Sequence, residues 1–560
     1  MADITREDRM REISRRVALK AGLSFTISAA TVSFASAHPN NDDIEPTDGL
    51  SPTKDAFASR AQNSVEYWND VSLELVANDH TIEVGQARAP GPVASARALG
   101  LIHTVIADAV ALAYPDPLFK PFLFRDALND TPTSPASFVG GACAAIMSHI
   151  YDGPEHEVYL RTKRTEFLRM VGLRHRRAWL QGQQFGSHSV YRDKWNWPDI
   201  RARIDNKNHK YVIEPRRHSV DPFNPDQGYY GHSWGVEPAP LVLSKEEVTK
   251  KIKDGGCAPP DPPSIGSPEY QRDLEDVKLV GELLGGAESA HRTREQVLPG
   301  IFWAYDGAIL IGTPPRQYNQ FVRQVARADK LGPRRLSRLL ALCNLAMSDA
   351  GNVAWHAKYL HKVWRPVRGL NPDLPEHPAK EDIKWVPHGS PRTNRADFAF
   401  FMPFSEETEL QSMVSLAAKE QETAQSLLGG TPKPSTQDPD PAYKAAAFTP
   451  NFPAYPSGHA TFGTACFTML RLVRGERFAD PAWVNIRRFT SDELREEAVD
   501  NFEPKVRDIR PDDFLDLEKA IEDNSRSRVY LGVHWQFDAD GGREAGESVA
   551  KVIHAKAYTK

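Results

Sequence analysis

The chain has 560 residues, of which 40% are hydrophobic and 26% are charged, so wholesale disorder and a collagenous chain are excluded. Its 69 Lys and Arg residues against 74 Asp and Glu residues give a net charge of −5, which disfavours a nucleic acid as the partner of the whole chain. The four cysteines are too few for a disulfide-built scaffold, and the 43 prolines indicate long, stiff connections between regular elements.

The first 37 residues have the pattern of an export signal. Arg15 and Arg16 lie in a segment that resembles the twin-arginine motif, and a weakly apolar stretch then runs to an Ala-x-Ala cleavage pattern at 35–37. We therefore expect a twin-arginine signal peptide over 1–37, and a periplasmic or secreted protein that folds before export. An amphipathic first element of the fold is the alternative. No other apolar run reaches the ~18 residues that a membrane span requires, so we expect no transmembrane segment.

The rest of the chain is predicted to be helical. Residues 38–64 are polar and acidic and indicate a flexible leader, whereas the patterning becomes helical from Tyr67 onward. Residues 193–270 are rich in Pro, Gly and Asn and indicate long ordered loops. We predict helices at 94–113, 138–151, 158–185, 244–252, 270–289, 335–363 and 405–428, with a linker at 429–440. Convincing strand alternation is absent from the sequence, so the predicted fold class is all-α.

The first segment with chemical interest joins Lys358 and Arg365, which are seven residues apart and are followed by Pro366. Seven residues are nearly two helical turns, so both cations are predicted on one helix face, with Arg365 at the helix end. Such a pair could clamp an anion. The alternative is a pair of solvated cations that interact with the helix dipole.

The second segment is Pro456, Ser457, Gly458 and His459. Ser457 suits a helix N-cap, and Gly458 would allow a ligand to approach the backbone closely. The N–H groups at the helix start would bind an oxyanion, and His459 could exchange protons with it. An ordinary capped helix with a surface histidine is the alternative.

The third segment contains Ser527, Arg528, His534 and Asp538. On one helix, His534 and Asp538 would be i, i+4 neighbours, and the carboxylate would set the tautomer of the imidazole. Arg528 would lie about two turns earlier and could bind an oxyanion through two N–H groups. A helical ion pair without a ligand is the alternative.

The eleven specified positions of these segments occur in one fixed order. They resemble the signature of the vanadium-dependent haloperoxidase and type 2 phosphatidic acid phosphatase superfamily, K-x6-R-P, P-S-G-H and S-R-x5-H-x3-D, and every position matches. Further stretches are similar to the fungal vanadium chloroperoxidase type, namely 67–69, 95–100, 303–307, 313–316, 452–455 and 531–535. The similarity runs from about residue 65 to the end. The departures are the export signal and an apparent insertion at 405–445.

The resemblance implies two helical bundles, an N-terminal domain over 65–300 and a C-terminal bundle over 301–560 that carries the active site. It implies vanadate (V5+) as the cofactor, with His534 coordinating vanadium through Nε2. The groups that it assigns to binding the oxyanion are Lys358, Arg365, Ser457, the Gly458 N–H, His459, Arg528 and His534. His459 would act as acid and base, Lys358 would activate the peroxide, and Asp306 would pair with Arg528 or His459.

The implied reaction is the oxidation of bromide, and also of chloride, by hydrogen peroxide to hypohalous acid, which halogenates a small organic acceptor. Trp355 and Phe452 match positions where the chloroperoxidases carry aromatic residues, and they are predicted to form the wall of the halide pocket. Simple core packing is the alternative for this pair. The resemblance leaves a homo-oligomer open.

A second function from the same superfamily is an acid phosphatase, a phosphomonoesterase in which His534 attacks phosphorus and His459 protonates the leaving oxygen. The long N-terminal half favours the haloperoxidase. A third hypothesis is an oxyanion carrier without catalysis. The presence of His459 argues against it, because binding alone requires no proton shuttle.

The cysteines are not part of this chemistry. Cys143, Cys343 and Cys466 lie in apolar helical contexts and are predicted to be buried and inert. Cys257 lies in a loop of Gly and Pro and is predicted to be more exposed, either as a solvated thiol or in an inter-subunit disulfide.

Overall fold

Many helices of this chain begin where the sequence supplies a proline or a side-chain cap. The computed structural model describes residues 52–559 with gaps, the longest of which are 205–215, 283–293, 390–448 and 495–511. Pro135, Pro154, Pro268 and Pro333 each start a helix, where the missing N–H costs nothing. Part of the high proline content therefore starts helices and does not only stiffen connections.

The N-terminal part contains eight helices within its described residues: α1 (Pro52–Asp79), α2 (Gly91–Ala113), α3 (Pro135–Ile150), α4 (Pro154–Val171), α5 (Arg176–Gly186), α6 (Ser189–Arg192), α7 (Trp197–Ile204) and α8 (Lys245–Thr249). The C-terminal part follows with α9 (Pro268–Val280), α10 (Arg294–Phe302), α11 (Pro314–Ala328), α12 (Pro333–His361), α13 (Pro366–Gly369), α14 (Gly458–Gly475), β1 (Trp483–Phe489), β2 (Asp512–Asp516), α15 (Leu517–Tyr530) and α16 (Gln536–Lys556). The all-α prediction is confirmed.

Several boundaries differ from the prediction. The helix expected at 158–185 is two helices, because α4 ends at Val171 and is followed by Gly172, whose φ of 87° lies outside the helical region. The helix expected at 270–289 ends at Val280. Helix α7 lies in the region predicted as loop, and α1 begins at Pro52, inside the segment predicted as leader.

A two-stranded antiparallel sheet was not predicted from the sequence. It pairs β1 with β2, with Ile486 opposite Phe514, and register shifts on both sides of this pair interrupt the strand alternation. The buried side chains Ile486 and Phe514 join the core, where Phe514 packs against Phe321 of α11. The irregular register explains why a period of two was not visible in the sequence.

The two helical bundles share one continuous hydrophobic core. In the N-terminal bundle α3 packs on α5, and in the C-terminal bundle α14 packs on α16 and α12. Helix α2 packs along α12 and so joins the bundles. Among the described helices, α2 alone has the length and apolar composition of a membrane span, but nearly all of its residues are buried inside the protein.

Loop 228–243 is held on α12 by two buried side chains. The Asp349 carboxylate accepts hydrogen bonds from the N–H groups of Leu241, Val242 and Leu243 at 2.7–2.8 Å. The Asn352 amide donates to three carbonyls of the same loop. The loop therefore becomes a fixed wall beside the C-terminal half of α12.

Several predictions concern residues outside the described part of the chain. These are the signal peptide at 1–37, the leader up to residue 51, the helix at 405–428, the linker at 429–440 and the insertion at 405–445.

Candidate active site

The three chemical segments meet at one buried cavity, although two of them are not helical in the predicted way. Helix α12 ends at His361, and Lys362 follows in a left-handed conformation with φ 50°. Lys358 is therefore in the last turn of α12, whereas Arg365 lies beyond the helix and occupies the N-cap position of α13. The prediction that both cations share one helix face is wrong. Pro366 disfavours a helical conformation at Arg365, and the helix stops before that residue.

Arg365 nevertheless contacts residues that line the cavity through hydrogen bonds from its guanidinium. Nε donates to the Phe452 carbonyl at 3.1 Å, and NH1 donates to the Val533 carbonyl at 2.8 Å and to His534 Nε2 at 2.9 Å. Burial lowers the pKa of Arg365 to about 9, and Asp538 partly opposes this shift. The alternative of a solvated cation at this position is excluded, because Arg365 is buried.

Lys358 is fully buried, and its three N–H donors are used by the protein itself. Nζ donates to the carbonyls of Pro453 and Ala454, at 2.9 and 3.0 Å, and to that of Pro456. Burial, followed by the Arg365 charge, holds the pKa of Lys358 well below its usual value. Lys358 thus fixes the segment that leads into α14. A direct bond from Lys358 to an oxyanion would require the exchange of one carbonyl partner.

Helix α14 begins as the sequence predicts. Ser457 is its N-cap, and Ser457 Oγ accepts a hydrogen bond from the Ala460 N–H at 3.4 Å. A Cβ added to Gly458 would meet Trp355 at 3.4 Å, an ordinary contact, so protein packing alone does not require glycine there. The position is therefore compatible with a requirement set by a ligand.

His459 is buried, so the alternative of a surface histidine is wrong. Its Nε2 lies 2.6 Å from the Ala304 carbonyl and 3.5 Å from Asp306 Oδ1. Because a carbonyl can only accept, Nε2 carries the hydrogen and Nδ1 remains able to take a proton. Burial, with a further contribution from Arg528, lowers the pKa of His459 to about 3, so the imidazole is neutral without a bound anion.

The third segment crosses a helix break that was not predicted. Helix α15 ends at Tyr530, Gly532 adopts φ 68°, and α16 begins at Gln536. A Cβ at Gly532 would lie 2.3 Å from the Gly281 carbonyl oxygen, so only glycine fits this turn. His534 therefore lies in a loop and Asp538 in the first turn of α16.

The predicted contact between His534 and Asp538 is present in spite of the helix break. His534 Nδ1 lies 2.9 Å from Asp538 Oδ2, which also accepts the Trp535 N–H at 3.0 Å. Because Arg365 can only donate, it must donate to Nε2, and the imidazole hydrogen is therefore on Nδ1. Burial raises the pKa of Asp538 to about 7, and burial and Arg365 hold the pKa of His534 well below its usual value. A neutral imidazole thus keeps a lone pair on Nε2, which accepts the hydrogen bond from Arg365 NH1.

Arg528 is paired with Asp306, one of the two partners predicted for that carboxylate. NH2 of Arg528 donates to both Asp306 oxygens, at 2.8 and 2.9 Å, and both residues are buried. Among the described residues, Nε and NH1 of Arg528 and NH2 of Arg365 have no hydrogen-bond partner. Buried donors of charged groups are costly to leave unpaired, so these three donor nitrogens from two guanidinium ions fit an oxyanion.

The wall of the cavity is apolar. It is lined by Pro92, Pro314, Trp355, Pro450, Phe452 and Phe462, with Asp306, His459, Arg528 and His534 among its polar residues. The rings of Trp355 and Phe452 are 4.8 Å apart, and Lys358 Nζ lies 5.5 and 5.1 Å from their centroids. The two aromatic side chains therefore line the cavity beside Lys358, and both also belong to the main hydrophobic core.

Tyr230 supports this wall by packing against Trp355 and Phe452, with ring centroids 6.1 and 6.2 Å away, and it was missed by the sequence analysis. Its carbonyl accepts from Trp355 Nε1 at 3.3 Å, its N–H donates to the Asn451 carbonyl at 3.0 Å, and its hydroxyl donates to the Pro90 carbonyl at 2.7 Å. It lies in the loop region without a known motif. The one available signal is the flanking glycines, Gly228 and Gly231, which both have positive φ.

The cysteines lie apart from the cavity, and all four are buried. The burial predicted for Cys143, Cys343 and Cys466 is confirmed. The prediction of an exposed Cys257 is wrong, because the loop folds back onto α16, where Cys257 Sγ lies 3.6 Å from Ser548 Oγ. Burial raises the pKa of Cys257 to about 11, which makes the thiol unreactive.

Comparisons with known proteins identify relatives of this chain. Residues 52–174 match the family model of the vanadium chloroperoxidase N-terminal domain, and residues 338–560 match that of the vanadium chloroperoxidase second helical-bundle domain. A vanadium chloroperoxidase from Curvularia inaequalis is 27% identical over 556 residues, which cover 86% of this chain and 80% of that protein.

Two solved structures share the fold. A bacterial vanadium-dependent iodoperoxidase has a TM-score of 0.57 at 16% identity, covering 90% of this chain and 98% of its own. An apo-type bacterial vanadium-dependent chloroperoxidase has a TM-score of 0.54 at 12% identity, covering 83% and 93% of the two chains.

Proposed function

This chain belongs to the vanadium-dependent haloperoxidase family, of the chloroperoxidase type, and from that premise we propose that it oxidises halide with hydrogen peroxide to hypohalous acid. The observation that carries the proposal is the set of three buried guanidinium nitrogens without a partner among the described residues, beside His534 Nε2, which accepts a hydrogen bond from Arg365 NH1. Two fixed cations and one imidazole ligand match the charge and chemistry of vanadate.

Vanadate would be held mainly by groups that the structure already directs to the cavity. His534 Nε2 would be the vanadium ligand after Arg365 NH1 gives up its present bond to that nitrogen. NH2 of Arg365 and Nε and NH1 of Arg528 would bind the oxygens. The N–H groups at the start of α14 add favourable dipoles. When bound, vanadate supplies Lewis-acid activation of hydrogen peroxide toward halide.

Other residues of the chain would control protons and charge. His459 Nδ1 would accept a proton from the incoming peroxide, and the anion in the cavity would favour the resulting imidazolium by offsetting Arg528. Lys358 would shift from one carbonyl partner toward the reacting oxygen. Asp538 would keep the proton of His534 on Nδ1, so that Nε2 stays a ligand.

The proposal predicts that vanadate alone activates the enzyme. Apoprotein freed of oxyanions should oxidise bromide only after vanadate is added, and orthophosphate should compete with vanadate, because both use the same donors. The measurement is bromination of a dimedone-type substrate at fixed peroxide and increasing vanadate. A parallel assay supplies a chromogenic phosphate ester to the apoprotein. Bromination that does not depend on vanadate would contradict the proposal. Rapid hydrolysis of the phosphate ester without halide oxidation would favour the phosphatase.

A further prediction concerns the choice of halide. Oxidation of chloride requires stronger activation than oxidation of bromide, and the Trp355 and Phe452 wall lowers the local dielectric around Lys358. We expect bromide oxidation and also measurable chloride oxidation at mildly acid pH. Replacement of Phe452 with a histidine should reduce chlorination about tenfold more than bromination. Chlorination of the wild type at the level of the vanadate-free blank, alongside strong bromination, would contradict this role of the wall.

A further inference from the structure

Outside the three chemical segments, a short buried stretch contacts the back of the active site. Residues 491–493, which we call the 491–493 segment, follow β1. They pack against residues 302–306, which we call the 302–306 turn. Ser491 and Glu493 are buried. No prediction from the sequence assigned a role to this segment.

Three hydrogen bonds join the two stretches. Ser491 Oγ donates to the Phe302 carbonyl at 2.6 Å. The Tyr305 N–H donates to Glu493 Oε1 at 3.1 Å, and the Asp492 N–H donates to Tyr305 Oη at 2.9 Å. Tyr305 is therefore held at both its backbone and its hydroxyl by neighbouring residues of one segment.

Tyr305 has a backbone conformation that requires such support. Its φ is 36°, in the left-handed region that an aromatic residue rarely adopts. The residues on either side of it contact the catalytic groups. The Ala304 carbonyl accepts the hydrogen bond from His459 Nε2 at 2.6 Å, and the Asp306 carboxylate binds Arg528. A relaxation of Tyr305 would therefore displace both contacts together.

We propose that Glu493 is a positioning residue that, through the Tyr305 N–H, holds the 302–306 turn in the conformation that directs Ala304 to His459 and Asp306 to Arg528. It thereby sets the affinity of the cavity for an oxyanion, because Arg528 keeps two donors free only while its third nitrogen is fixed by Asp306. The second statement rests on the proposed function, whereas the positioning of the turn does not.

The test compares three variants of the full chain. Glu493→Met removes the acceptor at nearly constant volume, Glu493→Gln keeps an oxygen that can accept the Tyr305 N–H, and Val484→Ala perturbs the buried face of β1 without touching the turn. The readouts are crystal structures of the apoproteins, the affinity for orthophosphate by calorimetry, and the melting temperature.

We expect Glu493→Met to lengthen the distance from Ala304 O to His459 Nε2 beyond 3.5 Å and to weaken phosphate binding at least tenfold. The phosphate affinities of Glu493→Gln and Val484→Ala should stay within about twofold of that of the wild type. This should hold even if Val484→Ala lowers the melting temperature more than Glu493→Met does. An unmoved turn in Glu493→Met, or an equal loss of affinity in Val484→Ala or Glu493→Gln, would overturn the assignment. A wild type that binds no phosphate would contradict the proposed function, and the turn geometry would still decide the positioning role.

Discussion

Replacement of His534 with alanine should abolish stable retention of vanadate. In the proposed site the imidazole would supply the nitrogen ligand, and the contact between Nδ1 and Asp538 favours a neutral ring with Nε2 unprotonated. Loss of a residue that only orients a metal ligand typically costs roughly 10–100-fold in affinity, so loss of the ligand itself should cost more. We expect at least a ~1,000-fold loss, equivalent to about 4 kcal/mol of binding free energy. The measurement is vanadium content after gel filtration, together with equilibrium dialysis.

Two variants make this prediction specific. Asp538→Ala should weaken vanadate binding less than His534→Ala, by roughly 10–100-fold, because it removes only the group that orients the imidazole. His103→Ala removes a histidine that is equally buried but lies on α2, where it bonds to the Leu99 carbonyl. It should destabilise the fold and leave vanadate binding unchanged. Normal vanadium content in His534→Ala would show that another group is the ligand.

Replacement of His459 with alanine should leave vanadate bound and remove most halide oxidation. The guanidinium nitrogens that would bind the anion do not include His459, so they remain in this variant. The variant lacks Nδ1 of His459, which is the nitrogen able to take a proton. General acid–base catalysis contributes typically about 10²–10⁴-fold, so the turnover number for bromide should fall by that factor. The measurement is the turnover number at saturating peroxide, normalised to bound vanadium.

The comparison of the two variants tests the division of roles. His459→Ala and His534→Ala should differ clearly in vanadium content at the same protein concentration. If both lost vanadium to the same degree, or if His459→Ala kept full turnover, His459 would not be the proton shuttle. His103→Ala again serves as the control for a general effect of losing a buried histidine.

Much of the candidate site could be read from the sequence because each motif residue is close in the chain to another. The N-cap at Ser457 and the pairing of His534 with Asp538 are local interactions, and both are present. The local backbone was predicted less well. Lys358 and Arg365 do not share a helix, because Lys362 ends α12 in a left-handed conformation. His534 is not helical, because Gly532 must turn where the chain meets the Gly281 carbonyl.

Contacts between segments that are distant in the chain could not be predicted in this way. Tyr230, Glu493 and Cys257 lie in loops that carry no periodic pattern, and their partners are 125, 188 and 291 residues away in the chain. The strands β1 and β2 were hidden for a related reason, since irregular register removes the alternation that marks a strand.

The sequence by itself determined the helical class, the family, and the chemical groups that an oxyanion requires, because residue types and short spacings carry that information. Only the tertiary structure decided which of those groups are free to act. Lys358 donates to three backbone carbonyls, whereas Arg365 and Arg528 have three guanidinium nitrogens without a partner in the described chain. The physical reason is that a buried donor can bond only to the acceptors beside it, and the tertiary structure determines which acceptors those are.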